Sequence, residues 1–202
     1  MINFDFFTPT KILFGAGRES EVGKQVAAFG GHKVMIVYGK KGGHIETSGL
    51  LNLVHKSLSD AGLSYVDLNG VVPNPRLSLV KEGIRIGRTE GVDFLLPIGG
   101  GSVIDTAKGI GYGIANDFEM EDLLYGRVKT DKNLPIGVIL TIAAAGSEMS
   151  SSMVLTIEDG MMKRSYGHDC SRPKFAIMNP ELTYSLPAYQ TASGAADIMM
   201  HT

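Results

Sequence analysis

Apolar residues along this chain follow two rhythms, short unbroken runs and longer stretches in which they return at helical spacing, so strands are expected to alternate with helices. Lys11 to Phe14 reads as a short strand within an extended stretch over 3–14 that breaks at Thr8-Pro9. Gly15-Ala16-Gly17 leads into a helix of about Arg18 to Phe29, with Val22, Val26 and Phe29 on one face, and Gly30-Gly31 stops it. Lys33 to Tyr38, rich in β-branched residues, is a buried strand. A flexible loop, Gly39-Lys40-Lys41-Gly42-Gly43-His44, follows, then a helix from about Ser48 to Ala61 closed by Gly62. Ser64 to Leu68 completes a strand-helix-strand unit, whose strands are expected to be parallel and its crossover right-handed. Val72-Pro73-Asn74-Pro75 is a rigid loop and Leu77 to about Arg88 a helix. Asp117 to Asp131 is polar and irregular, with a short helix around Met120 to Leu124. Leu134 to Ile142 is the next buried strand, and Lys174 to Met178 is the last. Between them, Ser151 to Glu158 and Met161 to Tyr166 flank Asp159-Gly160 as a two-residue hairpin. From Pro187 the character changes to a small-residue helix, Tyr189 to Thr202, with no evident place in a sheet. The alternation predicts an α/β fold: a doubly wound, mainly parallel sheet with a β-hairpin as ornament.

One stretch organises the rest. Phe94 to Ile98 is an apolar run of strand length, Gly99, Gly100, Gly101 and Ser102 follow at once, and Val103, Ile104, Ala107 and Ile110 then recur at helical spacing. Glycines at such a corner permit backbone angles closed to other residues and let main-chain N–H groups approach a ligand. Ser102 reads as the N-cap of the helix, whose first turn offers unpaired donors and the positive end of its dipole to a phosphate or pyrophosphate. Ligands of open α/β sheets gather at the carboxyl ends of strands, where this corner, the Gly39 loop, the Asn74 loop and the Thr141 loop all fall. Together they outline an elongated, nucleotide-sized site.

Composition narrows the partners. The chain has 202 residues, enough for one sizeable α/β domain and the start of a second. A formal net charge of −2 provides no basic field for nucleic acid. The single Cys170 cannot form an internal disulfide, and the first residues lack the basic and apolar regions of a signal peptide, so a cytoplasmic location is the default expectation. No apolar run approaches membrane-spanning length, and no membrane partner is expected.

Near the end, Asp197 and His201 stand four apart in the expected helix, on one face, where a carboxylate and an imidazole could share a divalent cation or simply form a surface pair. Met199 and Met200 beside them read as core, and His168 beside Asp169 as a local hydrogen-bonding residue.

Three motifs coincide in order and spacing: Gly99-Gly100-Gly101-Ser102 with Asp105 and Lys108, Gly146-Ser147-Glu148 after a buried strand, and Gly194-Ala195-Ala196-Asp197 with His201. With Pro9-Thr10-Lys11, Val72-Pro73-Asn74-Pro75 and Arg172-Pro173-Lys174-Phe175, the chain resembles the iron-containing (group III) alcohol dehydrogenases, in their butanol dehydrogenase branch. The resemblance implies a Rossmann-like nucleotide-binding domain over 1–186 and, over 187–202, the start of an all-helical metal-binding domain. It implies that Gly99, Gly100, Gly101 and Ser102 bind the pyrophosphate of NAD or NADP, that Asn74 and Thr141 flank the nucleotide, that Lys163 reaches a ribose, and that Asp197 and His201 are two of four ligands to Fe²⁺ or Zn²⁺. The activity it implies is hydride transfer between the coenzyme and a small alcohol or aldehyde such as butanol or butanal, with the metal as Lewis acid. A homodimer is compatible with it.

Departures from the family pattern sharpen this. Gly39 stands where an acidic residue would repel a 2′-phosphate, and Lys40 and Lys41 would attract one, which tilts the reading towards NADP(H). Ala145 occupies the place of a usual Thr before Gly-Ser-Glu. The family's other metal-binding histidines lie beyond Thr202, and two protein ligands are too few for a catalytic site, so this stretch alone is expected to bind coenzyme with negligible turnover. A non-catalytic nucleotide-binding module and a related polyol oxidoreductase are the alternative readings.

Overall fold

The apolar runs become strands and the periodic stretches helices. In chain order they are β1 (Lys11–Phe14), α1 (Val22–Ala28), β2 (Lys33–Tyr38), α2 (His44–Thr47), α3 (Leu50–Asp60), β3 (Ser64–Leu68), α4 (Leu77–Glu90), β4 (Phe94–Gly99), α5 (Gly101–Ala115), α6 (Met120–Leu124), β5 (Gly137–Leu140), β6 (Ser152–Ile157), β7 (Met162–Gly167), β8 (Phe175–Met178) and α7 (Ala188–His201). The computed structural model describes Asn3 and residues 7–201. Phe4 to Phe6, within the expected extended stretch, lie outside the described residues, as do Thr202 and the side chain of His201.

Six strands form one sheet in the order β1-β8-β5-β4-β2-β3, every neighbouring pair parallel. Two apolar cores cover its faces. On one side Val22 and Val26 of α1 and Leu51, Val54 and Leu58 of α3 meet Val34, Ile36, Phe94, Leu96 and Ile139. On the other, Leu77 and Val80 of α4, Ile104, Ala107 and Ile110 of α5, and Leu123 of α6 meet Met35, Val37, Leu95 and Val138. Alternate residues of β2 and β4 therefore serve opposite layers, as expected of strands buried on both faces. The separate β6–β7 hairpin adds Met153, Leu155 and Ile157 to the second core.

Glycines set how closely the helices approach. Gly87 of α4 leaves the space filled by Ile114, and Gly113 of α5 that filled by Ile84; an added Cβ would meet those Cδ1 atoms at 2.3 and 2.1 Å. Each helix is notched for the other's isoleucine, which fixes α5 lengthwise along the sheet and so fixes where its N-terminus points.

Several expected boundaries shift for local reasons. Arg18–Glu21 is a 3₁₀ turn before α1; the expected Ser48–Ala61 helix is α3, which Gly49 (φ +81°) delays to Leu50, and the short α2 forms ahead of it. The strand expected over Leu134 to Ile142 contracts to β5 because its neighbour carries Pro97: pairing with β4 resumes only at Ile98↔Ile139 after the bridge Leu95↔Ile136, and a proline has no N–H to fill the gap. The hairpin loop is Glu158–Met161 rather than two residues, since pairing ends at Ile157↔Met162 and the Glu158 carboxylate turns away to accept from the N–H and hydroxyl of Ser78 at the start of α4. Met199 and Met200, expected in the core, are 76% and 85% exposed, because no layer covers α7: of its residues 188–200 all but Gly194 are exposed.

Candidate functional site

The register draws the strand ends into one line. Tyr38 pairs with Ile98, Gly99 with Leu140, and Leu140 with Met178, which also faces Phe14; thus Gly39, Gly99, Leu140, Met178 and Phe14 lie level at the carboxyl edge. The chain leaves β2 towards β3 on one side and leaves β4 towards β5 on the other. Between these two adjacent strands the winding reverses, and a crevice opens at such a switch point. Gly39 and the glycine corner flank it.

At the corner itself, α5 begins at Gly101 with Gly100 as its N-cap (φ −98°, ψ −165°), so Ser102 sits inside the first turn rather than capping it. Gly99, Gly100 and Gly101 have no positive φ, which corrects the expectation of unusual backbone angles. Their smallness serves space instead. A Cβ on Gly99 would meet Val103 Cγ2 at 2.5 Å, one on Gly100 would meet Ile142 Cγ2 at 2.4 Å, and one on Gly101 would meet nothing within 4 Å. The Val103 N–H turns back to the Gly100 carbonyl at 3.0 Å, and the N–H groups before it, in the helix's first turn, have no intrahelical acceptor. The result is a helix end with bare amides, open on the Gly101 side.

The neighbouring loops are braced around it. The Thr141 N–H donates to the Gly99 carbonyl at 3.2 Å, placing Thr141 beside the corner. The loop expected to be flexible after β2 is a tight turn: Gly43 N–H donates to the Lys40 carbonyl, Gly42 N–H donates to Glu46, and Tyr38 donates its hydroxyl to the same carboxylate. Burial and this acceptor push the Tyr38 phenol up to about 12, so it stays a donor. Lys40 and Lys41 project from the turn, exposed. His44 contacts the Ser185 hydroxyl at 3.2 Å, drawing the turn towards the segment after β8.

On the opposite face, Asn74 is exposed with φ +58°, a left-handed conformation that asparagine tolerates better than most residues. The next residue, Pro75, accepts from Thr156 N–H at 2.8 Å, and Thr156 is paired with Lys163, so Asn74 and the exposed Lys163 belong to one neighbourhood on the hairpin side.

Two cavities continue the line of strand ends. One of about 200 Å³ is walled by Phe14, Leu140, Ile142, Met178 and Pro180; the other, of about 330 Å³, lies between Ile142–Ala144 and the α7 residues Gln190, Ser193, Gly194 and Asp197. Ile142 lines both and also touches the corner through Gly100. Asp197 is exposed on α7, one helical turn from His201, whose side chain lies outside the described residues. Among the described residues no group of three His, Cys, Asp or Glu side chains converges as a metal site. His168 makes the local bond expected of it, accepting from Cys170 N–H at 3.2 Å.

Sequence reasoning missed the work of Lys108. It is fully buried, and its ammonium reaches the carbonyls of Ser147, Ser150 and Ser152 at 2.8, 2.9 and 2.8 Å and the Ser147 hydroxyl at 3.1 Å. One turn earlier, Asp105 accepts from the Ser147 hydroxyl at 2.8 Å and from Val154 N–H at 3.0 Å. Burial pushes Lys108 down to about 8, with Asp105 and Glu148 opposing. Burial also raises Asp105, against the two hydrogen bonds it accepts and the nearby Lys108. A lone cation among Ile104, Ala107 and Ile110 is the signal that could have marked it.

A family model described as iron-containing alcohol dehydrogenase matches residues 9–180. NADH-dependent butanol dehydrogenase A of Clostridium acetobutylicum is 42% identical over 202 residues, covering 100% of this chain and 51% of that protein. NADPH-dependent aldehyde reductase YqhD of Escherichia coli is 34% identical, covering 100% of the chain and 51% of the relative. The crystal structure of NADH-dependent butanol dehydrogenase A from Thermotoga maritima superposes with a TM-score of 0.93 at 37% identity, over 98% of this chain and 50% of that one. The chain thus spans about half the length of the curated relatives it matches. No helix among the described residues is long and apolar enough to cross a membrane.

Proposed function

As the chain belongs to the iron-containing alcohol dehydrogenase family, we propose that its sheet holds NADP(H) or NAD(H) for hydride exchange with a small alcohol or aldehyde. The observation that carries the reading is the bare first turn of α5, set level with Gly39 and beside Thr141 where the winding reverses. The pyrophosphate lies against Gly99 to Ser102. Its adenosine half extends over the α1/α3 face, where Lys40 and Lys41 project. The nicotinamide half extends towards the hairpin, where Asn74 and Lys163 supply polar groups for a ribose. Gly39 offers no carboxylate to repel a 2′-phosphate and two lysines follow it, which favours NADP(H) as in the Escherichia coli aldehyde reductase; the butanol dehydrogenases compared above are named for NADH.

Asp197 and His201 provide half of a donor set for a divalent metal, a carboxylate and an imidazole at one-turn spacing, with any further ligands outside the described residues. Such a metal, Fe²⁺ or Zn²⁺, would polarise the substrate oxygen. The chain's own contribution is to hold the coenzyme and to wall the cavity between Ile142–Ala144 and α7, where a small aliphatic substrate would meet it. Residues 1–186 act as the nucleotide-binding domain, and 187–202 as the first part of a helical metal-binding one.

Calorimetric titration of the chain with NADPH and NADH, followed by butanal reduction with added Fe²⁺ or Zn²⁺, tests the reading. Binding without turnover by the 202-residue chain supports the coenzyme site and is equally the outcome of a non-catalytic nucleotide-binding module. Rapid turnover would contradict the need for further ligands, and folded protein that binds neither coenzyme would remove the proposal.

A further inference from the structure

We propose that Lys108, acting with Asp105, is a positioning residue that locks the loop after β5 and the hairpin to the coenzyme helix and thereby sets the wall against which the nicotinamide half lies. The inference rests on the coenzyme reading above. Three backbone carbonyls within the short segment Ser147–Ser152 converge on one buried ammonium, and Asp105 holds the Ser147 hydroxyl and the Val154 N–H. All these anchors come from the second and third turns of α5, directly behind the amides of Gly101 and Ser102. The segment's other end is pinned to the same corner by Thr141 N–H on the Gly99 carbonyl. Between the two anchors run Ile142 to Gly146, whose Ala143, Ala144 and Ala145 are exposed and carry only methyl groups.

A cation in this place is costly merely as filling, since buried ion pairs can often be replaced by apolar groups of similar volume without loss of stability. What an apolar side chain cannot do is gather three carbonyls at one point. The groups facing the ammonium are Asp105 on its own helix, Glu148 on the loop, and Arg172 before β8. The first two attract it and the third repels it, so it is held by the loop as well as by the helix.

The position of the clamp makes it selective between the halves of a dinucleotide. ADP needs only the corner and the α1/α3 face, whereas NADPH also needs the hairpin side. Calorimetric titration of the full chain with ADP and with NADPH, for wild type, Lys108→Met and Ser147→Ala, reads the difference. Lys108→Met is expected to leave ADP affinity within roughly twofold and to weaken NADPH by roughly tenfold, the equivalent of one displaced hydrogen-bonding partner. Ser147→Ala, which keeps the carbonyl bonds and the Val154–Asp105 bond but removes the hydroxyl between Lys108 and Asp105, should show a smaller loss in the same direction. If Lys108→Met does not fold, Ser147→Ala and Asp105→Asn decide the question by the same ratio. Equal losses for ADP and NADPH, or an unchanged NADPH affinity in the folded variants, would overturn the positioning role alone. A wild-type chain that binds neither ligand would overturn it together with the coenzyme reading.

Discussion

Gly101→Ala separates the ligand role of the corner from its structural role. Gly101 is the first residue of α5, and a Cβ built there meets nothing within 4 Å. The folded protein therefore accommodates alanine without strain, and the change should stabilise it by about 0.5 kcal/mol because alanine is the better helix former. For a domain of this length that corresponds to a rise of about 1–2 °C in Tm. The same methyl occupies the open side from which a phosphate would approach the amides. A hydrogen bond to a charged acceptor contributes about 1.5–3 kcal/mol, so losing one should weaken NADPH and NADH by roughly ten- to a hundredfold. Opposite signs in melting and affinity are hard to obtain by misfolding. Gly99→Ala is the control: its Cβ would meet Val103 Cγ2 at 2.5 Å, so Tm should fall. Thermal melts with and without coenzyme, together with calorimetric titration, supply both readouts. A Gly101→Ala protein that melts at or above wild type and binds both coenzymes with unchanged affinity would refute the corner as a pyrophosphate site.

The other predictions concern selectivity, packing and pH. Gly39→Asp should be tolerated, since its Cβ would lie 3.8 Å from the Val71 carbonyl oxygen, and should weaken NADPH roughly tenfold with little loss of NADH. Exchanging Lys40 and Lys41 for Ser should also weaken NADPH more than NADH; equal losses would remove the NADP(H) preference. Gly23→Ala should destabilise by about 1–3 kcal/mol in denaturant melts despite alanine's helix propensity, because its Cβ would meet the Ser57 carbonyl oxygen at 2.0 Å and force α1 from α3. For Lys108, the folded-state value of about 8 lies below its ordinary 10.5, so between those pH values the unfolded chain holds the proton that the folded chain has released. Its contribution to stability is therefore least favourable below pH 8 and improves as pH rises through that window, by at most about 1.4 kcal/mol per pH unit. Lys108→Met should remove this slope in urea melts between pH 8 and 10, and an identical slope in the variant would contradict the shift.

Much of the six-stranded sheet is legible because its strands are short, largely apolar stretches with a glycine or proline close to each end. Lys33 to Tyr38 and Ser64 to Leu68 need no tertiary information to be placed. Residues whose conformation depends on a distant partner were not legible in the same way. The early start of β5's pairing was lost to Pro97 on the neighbouring strand, and the hairpin turn was widened by Glu158 reaching for Ser78. Pattern placed the glycine corner correctly, but of the two reasons it suggested for the glycines the special backbone angles do not hold, and the clearance from Val103 and Ile142 that it missed depends on side chains packed in three dimensions. Lys108 stood in plain view in a small-residue helix, yet its partners lie about 40 residues further along, at Ser147, Ser150 and Ser152. Helical spacing made Met199 and Met200 look like core, but spacing does not say whether a facing layer exists, and both side chains are exposed.

The most direct measurement is the change in backbone amide ¹H and ¹⁵N shifts on adding NADPH to the uniformly labelled chain. The largest changes are expected at Gly100, Gly101, Ser102 and Val103, with a second set at Gly39 to Lys41 and around Thr141. Saturating coenzyme that leaves the Gly101 and Ser102 amides where they were, while shifting resonances elsewhere, would contradict the pyrophosphate site at this corner.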